Sequence, residues 1–459
     1  MVGATKLAAV VVGATAVLAT KCSLDTKCPQ DSPCCSQYGE CGLGAYCLGG
    51  CDPRSSFSLD SCAPAPVCKS STTRFNSLSS VVDIQDYLGD ASKADWVSQG
   101  EAAVHDGSVL LTMPKKSVGT VLASTSYMWY GNVKARLKTS RGKGVVTAFI
   151  LLSDVKDEID YEFVGADLTT AQTNYYFQGV PDYNNAGNAS DLSDTFQNFH
   201  DYEIRWTPDE IEWRVDGKMV RNRLRKDTWN ETSQQWQFPQ TPARVQLSIW
   251  PGGLASNSEG TKKWAGGEIN WDDDDVKQVG YFYATLSDVS IECYDAKRAP
   301  GTHSGRSYTY SNGRGTNDTV VDGNKGTVLG SLEASGLDMD KGKKEATLSS
   351  SSSSSSATKS AATPKNTVKT IPGGSMTGAQ GQDHSGQHAD SSDSGGESQD
   401  SGDTGTGRDD CDTKSFKQHC GGGRVSAGSH QVGTSDGARA GLSGSALALV
   451  VASVGLLSW

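Results

Sequence analysis

Between Val109 and Cys293 the apolar positions come in short runs broken by turn residues, and helical spacing is nearly absent. Strand-like runs fall at Val109–Met113, Tyr127–Leu137, Val145–Leu152, Glu158–Val164, Asn174–Gln178, His200–Trp206, Glu210–Val215, Lys218–Arg223, Val245–Trp250 and Tyr281–Cys293. Aromatic and β-branched residues crowd these runs, which marks them as strands rather than buried helix turns. Val215-Asp216-Gly217-Lys218 supplies an Asp-Gly turn, so the strands on either side of it form a hairpin. About ten strands at short spacing predict an all-β domain, a two-sheet antiparallel β-sandwich.

Other apolar runs lie at the two ends. One Lys at position 6 precedes an apolar stretch from Leu7 to Leu18, with small residues suited to signal-peptidase cleavage near Ala19. It is too short to span a bilayer. The last stretch, Ser445 to Trp459, follows a spacer holding Arg439 and the small cluster Ser435-Asp436-Gly437. Small residues, spacer and terminal apolar tail form a glycosylphosphatidylinositol (GPI) signal, with Ser435 the preferred attachment residue and Gly437 second. The expected location is therefore outside the cell, at the outer plasma-membrane leaflet or in the cell wall.

Between these ends the composition changes sharply. Nine of the twelve Cys fall within Cys22 to Cys68, which fits an oxidising compartment. From about Pro300 the chain turns Ser-, Gly-, Asp- and Thr-rich, with eight consecutive Ser from Ser349 to Ser356. Such a segment buries too little apolar area to offset the entropy of ordering, so a disordered stalk is expected. The division is thus signal peptide at 1–19, Cys-rich module at 20–68, catalytic domain at 69–299, stalk at 300–435 and removed anchor signal at 436–459. Asn188, Asn230 and Asn317 head acceptable N-glycosylation triplets and should lie on the surface. The net charge of −11 excludes a basic nucleic-acid-binding face. No cofactor or metal is implied, and a monomer is expected.

The most informative segment is Asp157-Glu158-Ile159-Asp160-Tyr161-Glu162-Phe163-Val164, which follows the polar turn Ser153-Asp154-Val155-Lys156. Strict alternation puts Glu158, Asp160 and Glu162 on one face and Ile159, Tyr161 and Phe163 on the other. Glutamates four apart on a strand have Cα atoms about 13 Å apart, and converging side chains bring the carboxyls to about 5–6 Å. That separation suits retaining glycoside chemistry, whereas inversion needs roughly 6.5–9.5 Å to seat a water. One Glu attacks the anomeric carbon while the other acts first as acid, then as base. Asp160 between them is placed to orient the nucleophile and to separate the two Glu pKa values. A solvated acidic face or a Ca²⁺ site is the alternative reading of the same spacing.

This segment resembles the Glu-x-Asp-x-Glu signature of glycoside hydrolase family 16. The later motifs Ile249-Trp250-Pro251-Gly252-Gly253 and Trp264-Ala265-Gly266-Gly267-Glu268-Ile269-Asn270-Trp271 resemble the fungal Crh subgroup of cell-wall transglycosylases. The resemblance implies a β-jelly-roll with a concave cleft, Glu158 as nucleophile, Asp160 as helper and Glu162 as acid/base. It also implies transfer of a chitin donor onto β-1,3- or β-1,6-glucan. Plain endo-hydrolysis of β-glucan or chitin is one alternative activity, and a non-catalytic wall lectin or adhesin is another. Gln246, Ser248 and Trp250 alternate on one strand, and a Trp at a strand end offers a flat plate to a sugar ring. By the same similarity Gln246, Trp250 and Thr261 contact donor sugars together with Glu162, and Trp264 sits on the adjoining Gly-rich loop. Trp206 and Trp213, within hairpin strands, read as core.

The run Cys28 to Cys47, with its adjacent Cys34-Cys35 followed by Ser36-Gln37-Tyr38-Gly39, resembles a hevein-type chitin-binding module. So small a unit has almost no apolar interior and depends on disulfides. The resemblance makes Ser36, Tyr38 and Tyr46 the chitin-binding residues. Glu40 replaces a third aromatic and the loop before Tyr46 is one residue short, so weakened binding is expected; a purely structural cystine cap is the alternative. Eight Cys from Cys22 to Cys62 close the module, which leaves Cys68 and Cys293 to staple the ends of the catalytic domain. Cys411 and Cys420 remain for a small tail loop, a Zn site with His419 being improbable outside the cell.

Overall fold

Two large sheets, each of eight strands, stack face to face with the main apolar core between them. The computed structural model describes residues 20–343. The leader at 1–19, the run of Ser, the residues Cys411, His419 and Cys420, and the proposed anchor residue Ser435 lie outside the described residues. The cleft-side sheet contains Val81–Asp83 (β1), Trp96–Gln99 (β2), Thr120–Ser124 (β3), Val145–Ser153 (β4), Glu158–Val164 (β5), Ala171–Tyr176 (β6), Gly187–Ala189 (β7) and Ala243–Pro251 (β8). Their spatial order is β7-β6-β5-β4-β8-β3-β2-β1. All its pairs are antiparallel except β1 with β2, which is parallel. The opposite sheet is centred on Gly131–Lys138 and Tyr281–Cys293, with the hairpin strands His200–Trp206, Glu210–Val215 and Lys218–Leu224 on one side.

Alternation decides which side chains enter the core. Ile159, Tyr161 and Phe163 of β5 are at most 1% exposed and pack with Phe149, Tyr202, Trp206 and Trp213. The buried hydroxyl of Tyr161 donates to the backbone oxygen of Arg214 at 2.9 Å, so the ring enters the core without an orphaned polar atom. Asp216 and Gly217 both have positive φ, 49° and 79°, and Val215 pairs with Lys218. Those dihedrals belong to a primed two-residue turn, whose twist matches the flanking strands.

The sequence reading missed the short strands Ser71–Arg74, β1, β2, Ala102–His105, β3 and β7, each of three to five residues. Runs so short carry little period-2 signal. The expected strand Tyr127–Leu137 begins later, at Gly131, because Tyr127 to Tyr130 are buried in a loop and Tyr130 has φ of 66°.

Five disulfides are present: Cys22–Cys35, Cys28–Cys41, Cys34–Cys47 and Cys51–Cys62 within the module, and Cys68–Cys293 across the sandwich ends. The last bridges 225 positions, pairing the residues expected to staple the domain. Asn188 is exposed, whereas Asn230 and Asn317 are half-buried. Asn317 also hydrogen-bonds Tyr130, so it is less open than the surface placement expected of it.

The stalk does not begin at residue 300. Ser307–Tyr310 and Val320–Gly323 pair with each other, and the first also pairs with Ala65–Pro66. Tyr308 (2% exposed) and Val320 (8%) join the main core. Leu329 and Ala334 pack against Tyr46, Cys47 and Leu48 of the Cys-rich module. Backbone bonds from Gly44 to Ala334 and from Gly336 to Ser61 complete this strap. The segment is polar on average, but a few apolar side chains at wide intervals suffice to dock it on surfaces formed elsewhere. Each such side chain contributes about 1.5–3 kcal/mol when fully buried. A chain ending at residue 299 is therefore expected to melt on the order of 10 °C below one ending at residue 343. Thermal unfolding followed by circular dichroism checks this; equal midpoints would show the strap to be dispensable.

Candidate active site

The face of β5 turned away from the core carries Glu158, Asp160 and Glu162. Strand register extends each of them into a row across the sheet. Glu158 lies beside Leu152 of β4 and Tyr176 of β6, Asp160 beside Ile150 and Asn174, and Glu162 beside Ala148 and Gln172. The rows continue onto β8, where Arg244, Gln246 and Ser248 lie opposite Leu152, Ile150 and Ala148, and Trp250 opposite Val146. The indole of Trp213 donates to the backbone oxygen of Asp160 at 2.9 Å, tying the acidic strand to the opposite sheet.

The turn that feeds β5 is held by buried carboxylates of its own. Asp157 accepts from the amides of Gln178, Gln240 and Thr241 and from the Thr241 hydroxyl, at 2.6–3.1 Å. Asp154 accepts from the Tyr127 hydroxyl at 2.6 Å and the Gly50 amide at 2.9 Å. Burial nevertheless pushes both up to about 6. These two residues fix where Glu158 leaves the turn.

Glu158 and Asp160 are fully buried and Glu162 is half-buried. Burial, followed by the Glu158 charge, holds the Glu162 carboxyl well above the usual glutamate range. Asp160 is raised likewise, by burial first and then by both neighbouring glutamates, and it hydrogen-bonds Glu158. A proton kept on Asp160 is donated in that bond, which leaves Glu158 as the member that carries charge. Glu162 Oε1, Gln246 Oε1 and Trp250 Nε1 are buried with no hydrogen-bond partner among the described residues. The site thus pairs an ionised carboxylate with a protonated one on a single rigid strand, and leaves polar atoms to meet a ligand's hydroxyl or amide groups. That is an acid–base and nucleophile arrangement.

A family model for "Glycosyl hydrolases family 16" matches residues 90–271, which include this strand. The chain is 58% identical to Crh-like protein 3 of Botryotinia fuckeliana over 346 residues, covering 75% of this chain and 78% of that protein. The chain belongs to the fungal Crh family. It is 54% identical to Crh-like protein 2 of Aspergillus fumigatus, covering 70% of this chain and 73% of that protein. Among solved structures, the apo Crh5 transglycosylase is 29% identical, with a TM-score of 0.47 over 59% of this chain and 99% of that one. The same protein in complex with NAG gives 27% identity and a TM-score of 0.46, over 56% of this chain and 95% of that one. Membership makes the chain a family 16 glycosidase or transglycosylase of the Crh type.

In this Crh-family chain the other expected binding residues are distributed unevenly. Gln246 faces the cleft, its amide nitrogen 3.2 Å from the side-chain oxygen of Gln37. Trp250 is on the same face but only 1% exposed, with Trp264 stacked on it at 5.9 Å and 25°. Trp264 is half-exposed and donates to Gln172 at 2.8 Å, so it spans from β8 towards β6 beside Glu162. Of the two rings, Trp264 is the one with a face available to a sugar. Thr261 is buried in the short helix Glu259–Trp264, its hydroxyl bonded to the capping Ser258.

The three hevein-type positions are not presented to solvent. Ser36 is 3% exposed and accepts from the Glu40 amide, and Tyr46 is 5% exposed inside the cluster shared with the strap. Tyr38 is 8% exposed and bonds Gln99 of β2, and burial pushes its hydroxyl up to about 12. Sequence reasoning overlooked Gln172, Asn174 and Tyr176 on β6, which flank the three carboxylates. Their polar alternation directly after the acidic strand was the available signal. It also missed Gln37, Gln99 and Arg244, which no local pattern marks.

The raised Glu162 pKa has a stability consequence. The folded state holds a proton that the unfolded state releases above the ordinary value of 4.5, so stability falls as pH rises from there towards the folded value. Glu162→Gln removes that loss. Calorimetry at pH 7 should show the variant melting ~2–4 °C above the wild type, with no gap at pH 4. A variant equal or lower at pH 7 would mean that Glu162 is ionised in the native protein.

Proposed function

We propose that this protein is a retaining transglycosylase that cleaves chitin and transfers the fragment onto β-1,3- or β-1,6-glucan, joining the two polymers in the fungal cell wall. The observation that carries the reading is the split within the acidic row: Glu162 and Asp160 are held neutral by burial beside a charged Glu158. Glu158 attacks the anomeric carbon as Glu162 gives its proton to the leaving oxygen, which forms a glycosyl–enzyme ester. Glu162, now a carboxylate, then takes the proton from an acceptor hydroxyl, which attacks the same carbon and releases Glu158. Asp160 keeps its hydrogen bond to Glu158 throughout, orienting the nucleophile and easing its departure.

Transfer requires a sugar hydroxyl to reach the ester before water does. The floor beside the carboxylates is apolar, with Ala148, Ile150 and Leu152 all at most 5% exposed, which disfavours loosely held water. The titles of the Crh5 structures, a transglycosylase and its NAG complex, describe a relative whose chemistry fits this reading. Five disulfides place the protein in an oxidising compartment. The leader and the GPI signal read from the sequence would hold it at the cell surface.

The expected product of the purified enzyme, given chitin oligosaccharides and labelled laminari-oligosaccharides, is a hybrid with the β-configuration retained, read by mass spectrometry and proton NMR. Shortened chitin fragments alone would reduce the activity to hydrolysis. Glu162→Ala should lower transfer about 10²–10⁴-fold, and Glu158→Gln should abolish it. Undiminished wall cross-linking in cells carrying only Glu158→Gln would instead favour a lectin or adhesin. In the wild type the rate should fall as pH rises through the raised Glu162 pKa, because the leaving oxygen then lacks its proton.

A further inference from the structure

The loop Ser36-Gln37-Tyr38-Gly39-Glu40 lies between two strand pairs of the module, and disulfides Cys22–Cys35 and Cys28–Cys41 anchor its two ends. Gly39 turns the tip with φ of 71°. So short a loop, closed by cystines, has little freedom of its own. It rests on the cleft-side sheet of the catalytic domain. Gln37 Oε1 accepts from Arg244 at 3.0 Å and from Gln246 at 3.2 Å, and its backbone oxygen accepts from Lys156. The Tyr38 hydroxyl donates to Gln99 at 3.2 Å, and its ring joins the apolar cluster that includes Ala148, Ile150 and Trp250.

The rest of the module is secured just as firmly. The Gly50 amide donates to Asp154 and lies 2.9 Å from the Tyr127 hydroxyl. Arg54, 7% exposed, is paired with the buried Asp52 and donates to the backbone oxygen of Val155. A Cβ added at Gly49 would fall 2.2 Å from the Arg244 guanidinium, so the two backbones meet without a gap. A tethered binding module would not bury an ion pair and its polar loop against its neighbour.

The place of contact gives it a consequence. Neighbouring strands are 4.7–4.9 Å apart, so β8 is only about 10 Å from the carboxylates of β5. A sugar chain that leaves Glu158 and Glu162 across β4 towards β8 and β3 therefore soon meets Gln37 and Tyr38. Gln37 engages the amide nitrogen of Gln246 and leaves its Oε1, buried without a partner, to accept from a sugar N–H or O–H. We propose that this loop is a fixed end wall of the cleft, with Tyr38 and Gln37 limiting how many sugar units bind on the β8 side of the carboxylates. The inference rests on the glycan-cleaving reading of the site.

Chitin oligosaccharides from trimer to octamer, with a labelled glucan acceptor in excess, test the wall through kcat/KM at each length. The wild type should gain nothing beyond a short donor. Tyr38→Ala and Gln37→Ala should each raise kcat/KM for the longest donors roughly tenfold relative to the shortest, the effect of ~1.4 kcal/mol of added contact. Tyr38→Phe keeps the ring and should keep the wild-type length profile. If Tyr38→Ala is not secreted in folded form, Gln37→Ala carries the comparison. An unchanged profile in the folded Ala variants overturns the wall and leaves the enzyme reading intact. An equal rise at every length also overturns it, since the loop would then act as a plug over the carboxylates. A wild type that turns over no donor at any length defeats the glycan-cleaving reading and the wall with it.

Discussion

Three carboxyl groups in a row on one buried strand face cannot all be ionised, and much of this molecule is arranged around that constraint. Each added charge would sit beside another in a setting that water barely reaches, so protons stay on Asp160 and Glu162 while Glu158 carries the charge. The difference between the two glutamates then follows from position alone. Holding them there depends on the opposite face of the same strand, where Ile159, Tyr161 and Phe163 are locked in the core. It depends also on Trp213, which grips the backbone of Asp160 from the other sheet. A one-residue slip of β5 would turn the acids into the core, and the aromatic packing forbids it.

The same economy extends to the Cys-rich module. A unit of this size has too little apolar interior to be stable by packing, so cystines restrain it and a larger domain supplies the missing surface. Its aromatic residues face that surface or the strap. Tyr46 is buried against Leu329 and Ala334, and Tyr38 points at the cleft sheet. A residue pattern suited to binding sugar in isolation has thereby become part of an internal interface. The cleft, in turn, has a boundary that its own strands do not supply.

Much of the sandwich was legible because its long strands announce themselves by period. The acidic strand, the Asp-Gly hairpin and the core role of Trp206 and Trp213 all follow from spacing that neighbouring residues impose on one another. The cystine pairing of Cys68 with Cys293 was legible for another reason: eight cysteines were already committed to the module. Trp250 was harder. Its position on the cleft face could be read from alternation, but the Trp264 ring that covers it comes from a loop fourteen residues later. The strap failed for want of density, since four apolar side chains spread over some thirty polar positions leave no local signature.

The order of residues by itself determined the all-β class, the shared face of Glu158, Asp160 and Glu162, and the oxidising compartment implied by the cysteines. These are properties of local periodicity and composition, set within a few neighbouring positions. Only the tertiary structure decided which carboxyls keep their protons, that residues 300–343 fold back over the module, and that Gln37 and Tyr38 stand at the edge of the cleft. Each of those depends on burial or contact between segments far apart in the chain, and no repeat or spacing along the sequence records which distant surface a side chain will meet.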